Sequence, residues 1–281
     1  MDIYHTPFFA VLLASVALTA TSCAKKSPAT ADTPAAIRVG MECAYAPNNW
    51  EESAPSDTNA PIMNNAGFFA EGYDVRIARL VCQSLGREME IVKIPWEGLL
   101  EALNRGQIDM IVSGMVDSRE HKQAAAFSDT YAIAPTEYGV LVQSDSPFAR
   151  AARLSDLAGA SLLGQRGTKL DSVIDQIQGA NHLPPVDSIP NMLDRLNRRT
   201  VDGIVINLDS AAAYMKTYPA LSVIDFPDGE GFTLDFSGIC IALRKGDTAL
   251  LESVNAALAE IPHENRAALM AEVTAMVGEK K

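Results

Sequence analysis

Cysteine, histidine and aromatic residues are all scarce in this chain. It has four Cys, four His and two Trp, with aromatics making up 6% of the sequence. The cysteines, Cys23, Cys43, Cys82 and Cys240, show no spacing that suggests a zinc site. Positive charge is in the minority as well. Against 35 Asp and Glu stand 23 Lys and Arg, a net charge of −12 that argues against nucleic acid or an anionic membrane surface as partner. There is no Walker loop and no nucleophile elbow. The apolar run at 8–20 is shorter than the ~20 residues a membrane-spanning helix needs. What is present is ordinary core material. At 281 residues and 48% hydrophobic, the chain can build one large domain or two modest ones.

The run at 8–20 ends in small residues and Cys23, the pattern of a secretory leader over residues 1–22. Its end, LTATSC, resembles a lipoprotein box, which implies Cys23 as the lipid-bearing first residue of the mature protein. Residues 23–36 are rich in Ala, Pro, Ser and Thr and read as a flexible tether. Export would place Cys43, Cys82 and Cys240 in an oxidising compartment. Three is an odd number, so at most one intramolecular pair can form. Cys82 falls on a helix face as a small core residue, and a Cys43–Cys240 pair is left open.

Residues 72–131 carry the clearest pattern. Ile77, Leu80, Val81 and Leu85 recur at helical spacing, with Gly86 where a helix-ending glycine belongs. Residues 90–94 alternate like a half-buried strand. Trp96, Leu99, Leu100 and Leu103 form a second apolar helical stripe closed by Gly106, and 108–112 is a buried strand. With the strand 37–41 in front, this is a βαβαβ unit with right-handed crossovers and a parallel sheet. Ligands of such sheets bind beyond the carboxyl ends of the strands. Glu42 and the turn Ser113-Gly114-Met115 follow two of those strands, so both should lie on one rim. The stretch 51–69, rich in Asn, Pro and Ser, reads as a long loop near that rim.

A smaller α/β pattern follows residue 138. TEYGVLVQ reads as a linking strand, 161–164 as a short strand, and Gly167-Thr168 as the opening of a helix toward Ile177. Residues 203–206 form a buried strand ending at Asn207, and Asp209 is placed to cap the helix 210–216. Residues 221–225 read as a strand, 249–258 and 264–277 as helices. Two similar lobes would then face one cleft: the first from 37–137 and 238–281, the second from 138–237.

Six segments, IRVGMECAYAP, GYDVRIARLVCQSLG, PWEGLLEALNRGQIDMIVSGM, AFSDTY, LAGASLLGQRGT and GICIALRKGDTALLESVNAAL, occur in this order over 37–258. Their wording resembles the polar amino-acid family of periplasmic solute-binding proteins, the receptors of ABC importers. The resemblance implies a two-lobed α/β clamshell of type II, each lobe a mostly parallel sheet flanked by helices, closing by a hinge on its ligand. It also implies an amino acid or similar solute as ligand and ABC permease subunits as partners. The expected protein has no cofactor, metal or catalytic residue, is monomeric, and touches the membrane through a lipid anchor only, in the periplasm or on the outer face of the cell membrane.

The resemblance also implies the binding residues. Glu42 would meet the ligand's amino group or side chain, and Tyr45, Trp50 and Trp96 would stack against it. Ser113, Gly114 and Met115 would offer hydroxyl and backbone contacts beside a helix start near Ser118, a natural anion site. Gly167 and Thr168 match the family's turn where a second helix start meets the ligand carboxylate. The chain departs from the pattern twice. His121 stands where relatives carry a carboxylate-binding arginine, which leaves Arg119, His121 and Arg166 as alternatives. Asn207 stands where relatives carry an acid for the ligand ammonium. An enzyme of the cyclohexadienyl dehydratase type on the same scaffold is the alternative function; it needs a general acid in the cleft, for which Glu42 is the local candidate.

Overall fold

The computed structural model describes residues 1–2, 35–131 and 137–277. Cys23 and the leader and tether over 3–34 lie outside the described residues. From residue 35 onward the described chain belongs to one compact unit.

The first sheet runs Met89–Lys93, Ile37–Met41, Met110–Ile111, Cys240–Leu243, Ala126–Thr130. Its period-two pattern sorts side chains between two cores. Met110, Val112, Ile241 and Leu243 pack with Ile77 and Val81 of the helix Tyr73–Ser84. Ile111 and Ala242 face Leu99 and Leu103 of the helix Leu99–Asn104 on the other side. The second sheet runs Asn181–His182, Ser161–Leu163, Gly203–Asn207, Tyr138–Gln143, Leu221–Ile224. The two-lobed α/β architecture is as expected, and both sheets are mixed. Ile37–Met41 and Ser161–Leu163 pair parallel with their neighbours, whereas Cys240–Leu243 and Tyr138–Gln143 pair antiparallel on both sides.

Four local expectations change. Tyr138–Gln143 is an inner strand of the second sheet, because its apolar run Val140, Leu141, Val142 is fully buried. The stretch 51–69, read as a long loop, holds Ala60–Pro61 and enters at both ends a small antiparallel sheet completed by Ala44–Tyr45, Asn49–Glu52 and Phe69–Glu71. Its polar residues make tight turns there: Ser56 N donates to Asn59 Oδ1 and Asn59 N to Ser56 Oγ, both at 3.0 Å. The helix Leu208–Thr217 starts earlier than expected, and its cap is Asn207, whose Oδ1 accepts from Asp209 N at 2.8 Å. Finally, Leu80 is exposed while Asp74 and Arg76 are buried. Arg76 reaches Glu71 and, on the last helix, Glu272, which turns that helix face inward.

All three described cysteines are free and buried. Burial pushes the Cys43 and Cys240 thiols up to about 12 and Cys82 to about 11, so none carries an appreciable thiolate fraction near neutrality.

Candidate functional site

The rim of the first lobe is built where two parallel strands end. Beyond Ile37–Met41 the backbone N–H of Glu42 donates to Ser113 Oγ at 3.0 Å, tying the two strand ends together. Gly114 follows with φ 63, and a Cβ there would lie 2.8 Å from Tyr45 Cε1, so the Tyr45 ring rests directly on the turn. A buried polar network supports the rim from behind. Asp74 accepts from Tyr131 Oη at 2.8 Å, from Asn49 Nδ2 at 2.7 Å and from the Gly114 N–H. Asn49 Oδ1 in turn accepts from Cys43 N at 2.7 Å, which fixes the residue after Glu42.

The second lobe presents the segment after Ser161–Leu163. Gln165 Nε2 donates to Glu42 Oε1 at 2.9 Å, and Trp96 Nε1 donates to the Gly167 carbonyl at 3.1 Å. Lys169 Nζ lies 2.9 Å from Glu120 Oε2. These contacts draw the lobes together over a small inner cavity of about 40 Å³, lined by Glu42, Tyr45, Trp96, Gly114, His121, Tyr138, Gln165, Thr168, Lys169 and Asn207, among others. An outer groove of about 610 Å³ shares Trp96, His121, Thr168 and Lys169 with it and adds Glu97, Leu100, Met115, Glu120, Gly167 and Asp171. The inner cavity holds about one water-sized guest. The groove has room for a small organic solute.

Most of the expected residues therefore line one or other of these two adjoining spaces. Ser113 does not: it is 1% exposed and acts beneath the surface through Glu42. Trp50 lies elsewhere, packed against the first-lobe core, with its Nε1 donating to Glu52 Oε1 at 2.6 Å. The strand Asn49–Glu52 carries it away from the cleft. Arg119 is exposed and lines neither space. Arg166 is engaged by Asp187, Glu97 and the Pro185 carbonyl. His121 is buried between Trp96 and Phe127, and its Nδ1 lies 2.8 Å from the Val116 carbonyl. A carbonyl only accepts, so Nδ1 carries the proton and Nε2 is the ring's remaining polar atom.

The two expected helix starts also differ. His121–Ala124 is 4 residues long, too short for a substantial dipole, whereas Lys169–Ser172 runs on as a 3-10 helix through Gln176, toward Ile177 as expected. Two of the N–H groups there are used already: His121 N donates to Ser118 Oγ and Leu170 N to Thr168 Oγ1. Sequence reasoning missed Lys169 and Asp74. The first sits directly after the Gly167-Thr168 turn, a position worth noting in a chain without the expected arginine. Nothing in the sequence separates Asp74 from an ordinary first-turn acid.

Burial pushes the Glu42 carboxyl up to about 7, offset in part by the Gln165 hydrogen bond and by Lys93. A carboxyl raised from 4.5 in this way contributes stability that is complete below pH 4.5 and lost as pH rises through about 7. Asp74, at about 6, and His182, also raised, act in the same direction. The melting temperature is therefore expected to fall from pH 5 to pH 8, and Glu42→Gln to show a shallower fall. Thermal scans across that range check this; an equal slope in the variant would mean that Glu42 stays ionised.

The profile of the bacterial extracellular solute-binding proteins, family 3, matches residues 37–272. The chain belongs to this family. As a family 3 protein it is an extracellular binder of solutes, and binding without turnover replaces the dehydratase alternative. A probable histidine-binding protein of Neisseria gonorrhoeae is 28% identical to this family 3 chain over 262 residues, 90% of each. The L-cystine-binding protein TcyJ of Escherichia coli K12 is 29% identical over 192 residues, 68% of each. Among solved structures, a variant of ArgBP from T. maritima superposes with a TM-score of 0.68 at 28% identity, covering 84% of this chain and 93% of that one.

Proposed function

We propose that this family 3 protein takes an amino acid or a related small polar solute between its lobes and delivers it to the permease subunits of an ABC importer. The observation that carries the reading is the convergence of Glu42, Tyr45, Trp96 and His121 from one lobe with Thr168, Lys169 and Asn207 from the other on the inner cavity, which the outer groove adjoins. Relatives whose names give histidine, cystine or arginine as ligand support the solute class. In this reading Glu42 meets the solute's ammonium, Tyr45 and Trp96 cover its carbon skeleton, and Gly114, Met115, Gly167 and Asn207 contribute backbone and amide contacts. An arriving cation makes ionised Glu42 the favoured form and displaces its proton. The LTATSC sequence supports Cys23 as the lipid attachment that keeps a monomeric receptor at the outer face of the membrane.

A thermal-shift screen of the amino acids tests the function. A true ligand at a hundred times its Kd adds about 2.7 kcal/mol of stability, which is a clear rise in melting temperature. Glu42→Ala is expected to weaken that ligand at least tenfold, about 1.4 kcal/mol. No shift with any amino acid would refute the reading, and unchanged affinity in Glu42→Ala would remove the ammonium from this corner.

A further inference from the structure

We propose that Lys169 is the residue that holds the solute's anionic group, and that this fixes the solute class as one with a single carboxylate joined to a cationic centre. The inference rests on the reading of the cleft given above.

Among the described residues lining the inner cavity and the outer groove, Lys169 is the one lysine or arginine, and it lines both. Its side chain is 14% exposed. The ammonium lies 2.9 Å from Glu120 Oε2 and 3.0 Å from Asp235 Oδ1, so it is held charged and placed by two carboxylates. Asp235 Oδ2 also accepts at 3.2 Å, so a solute carboxylate would take the place of one of these acceptors on the three N–H donors. The other cations of the region line neither space: Arg166 is paired with Asp187 and Glu97, and Arg119 is exposed.

The charge around the groove narrows the ligand further. Glu97, Glu120 and Asp171 line it against the single cation Lys169. A carboxylate is stable in such a field only beside Lys169, and a second carboxylate on the solute would face the acids alone. The cationic end is drawn the other way, toward Glu42 in the inner cavity that Lys169 also lines. The solute is thus oriented with its anion on the second lobe. Lys169 already reaches Glu120 of the first lobe, so the same ammonium that reads the anion also joins the lobes.

The test compares L-arginine with agmatine, the same molecule without its carboxylate, and L-histidine with histamine, by calorimetry on the full chain. For whichever amino acid the wild type binds, Lys169→Met is expected to lose at least tenfold while affinity for the decarboxylated partner changes less than threefold. Lys169→Arg, which keeps the charge, is expected to retain affinity within tenfold, and L-glutamate to bind neither protein. Equal losses for acid and amine in Lys169→Met would make Lys169 a lobe contact only and overturn the assignment, as would unchanged affinity for the acid. Binding of L-glutamate by the wild type would overturn the single-carboxylate class. If the wild type binds none of the amino acids, the function proposed above fails and the Lys169 assignment falls with it.

Discussion

Asp74→Ala is expected to cause the largest loss of stability of any single change beneath the rim. Asp74 is fully buried, and its carboxylate accepts from Tyr131, Asn49 and the Gly114 N–H. Removing it leaves three donors without their acceptor in a site closed to water, each worth roughly 1–3 kcal/mol when unpaired. A loss of about 3 kcal/mol or more is a large share of the 5–15 kcal/mol typical of a folded domain. Solute affinity should fall with it, because Asn49 and Gly114 position the residues beside Glu42 and Tyr45. Urea denaturation with and without ligand measures both. Asp74→Asn keeps one acceptor and should fall between; a wild-type midpoint for Asp74→Ala would show that the network contributes nothing net.

The second large effect is expected at Gly164. A Cβ on this residue would lie 2.4 Å from Asp171 Cα and 2.5 Å from both Asp171 N and the Leu170 carbonyl oxygen. These are backbone atoms, so relief requires the helix Lys169–Ser172 to move rather than a side chain to rotate. Overpacking of this kind costs about 1–3 kcal/mol. The moving element carries Thr168 and Lys169, so Gly164→Ala should weaken solute binding at least tenfold as well as lower the melting temperature. A variant that binds normally would show that the second lobe tolerates a displaced turn and that the cleft is set by other elements.

The parts of this molecule legible in its sequence are those where a strong period meets a strand end. Ile37, Val39 and Met41 alternate with rim-bound Glu42 next in line, and Ile111 and Val112 lead to Gly114 in the same way. The small sheet was illegible for the opposite reason. Its strands are 2 to 4 residues long, too short for any period, and their composition is that of turns. Trp50, which the family resemblance implies stacks on the ligand, is carried by that sheet against the first-lobe core. Asn207 stands where relatives carry an acid, and its Oδ1 accepts from Asp209 N as the cap of the following helix. Lys169 and Asp74 depend on partners distant in sequence, Glu120, Asp235, Tyr131 and Asn49, and only the tertiary structure brings those together.

The place of Cys240–Leu243 in the first sheet sets an order of assembly. This strand sits between Met110–Ile111 and Ala126–Thr130, so the earlier part of the chain cannot complete its sheet until the later part has arrived. The second lobe has no such dependence: its strands all fall between Tyr138 and Ile224. The first sheet is therefore complete only once Cys240–Leu243 has joined it, whereas the second needs nothing beyond Ile224.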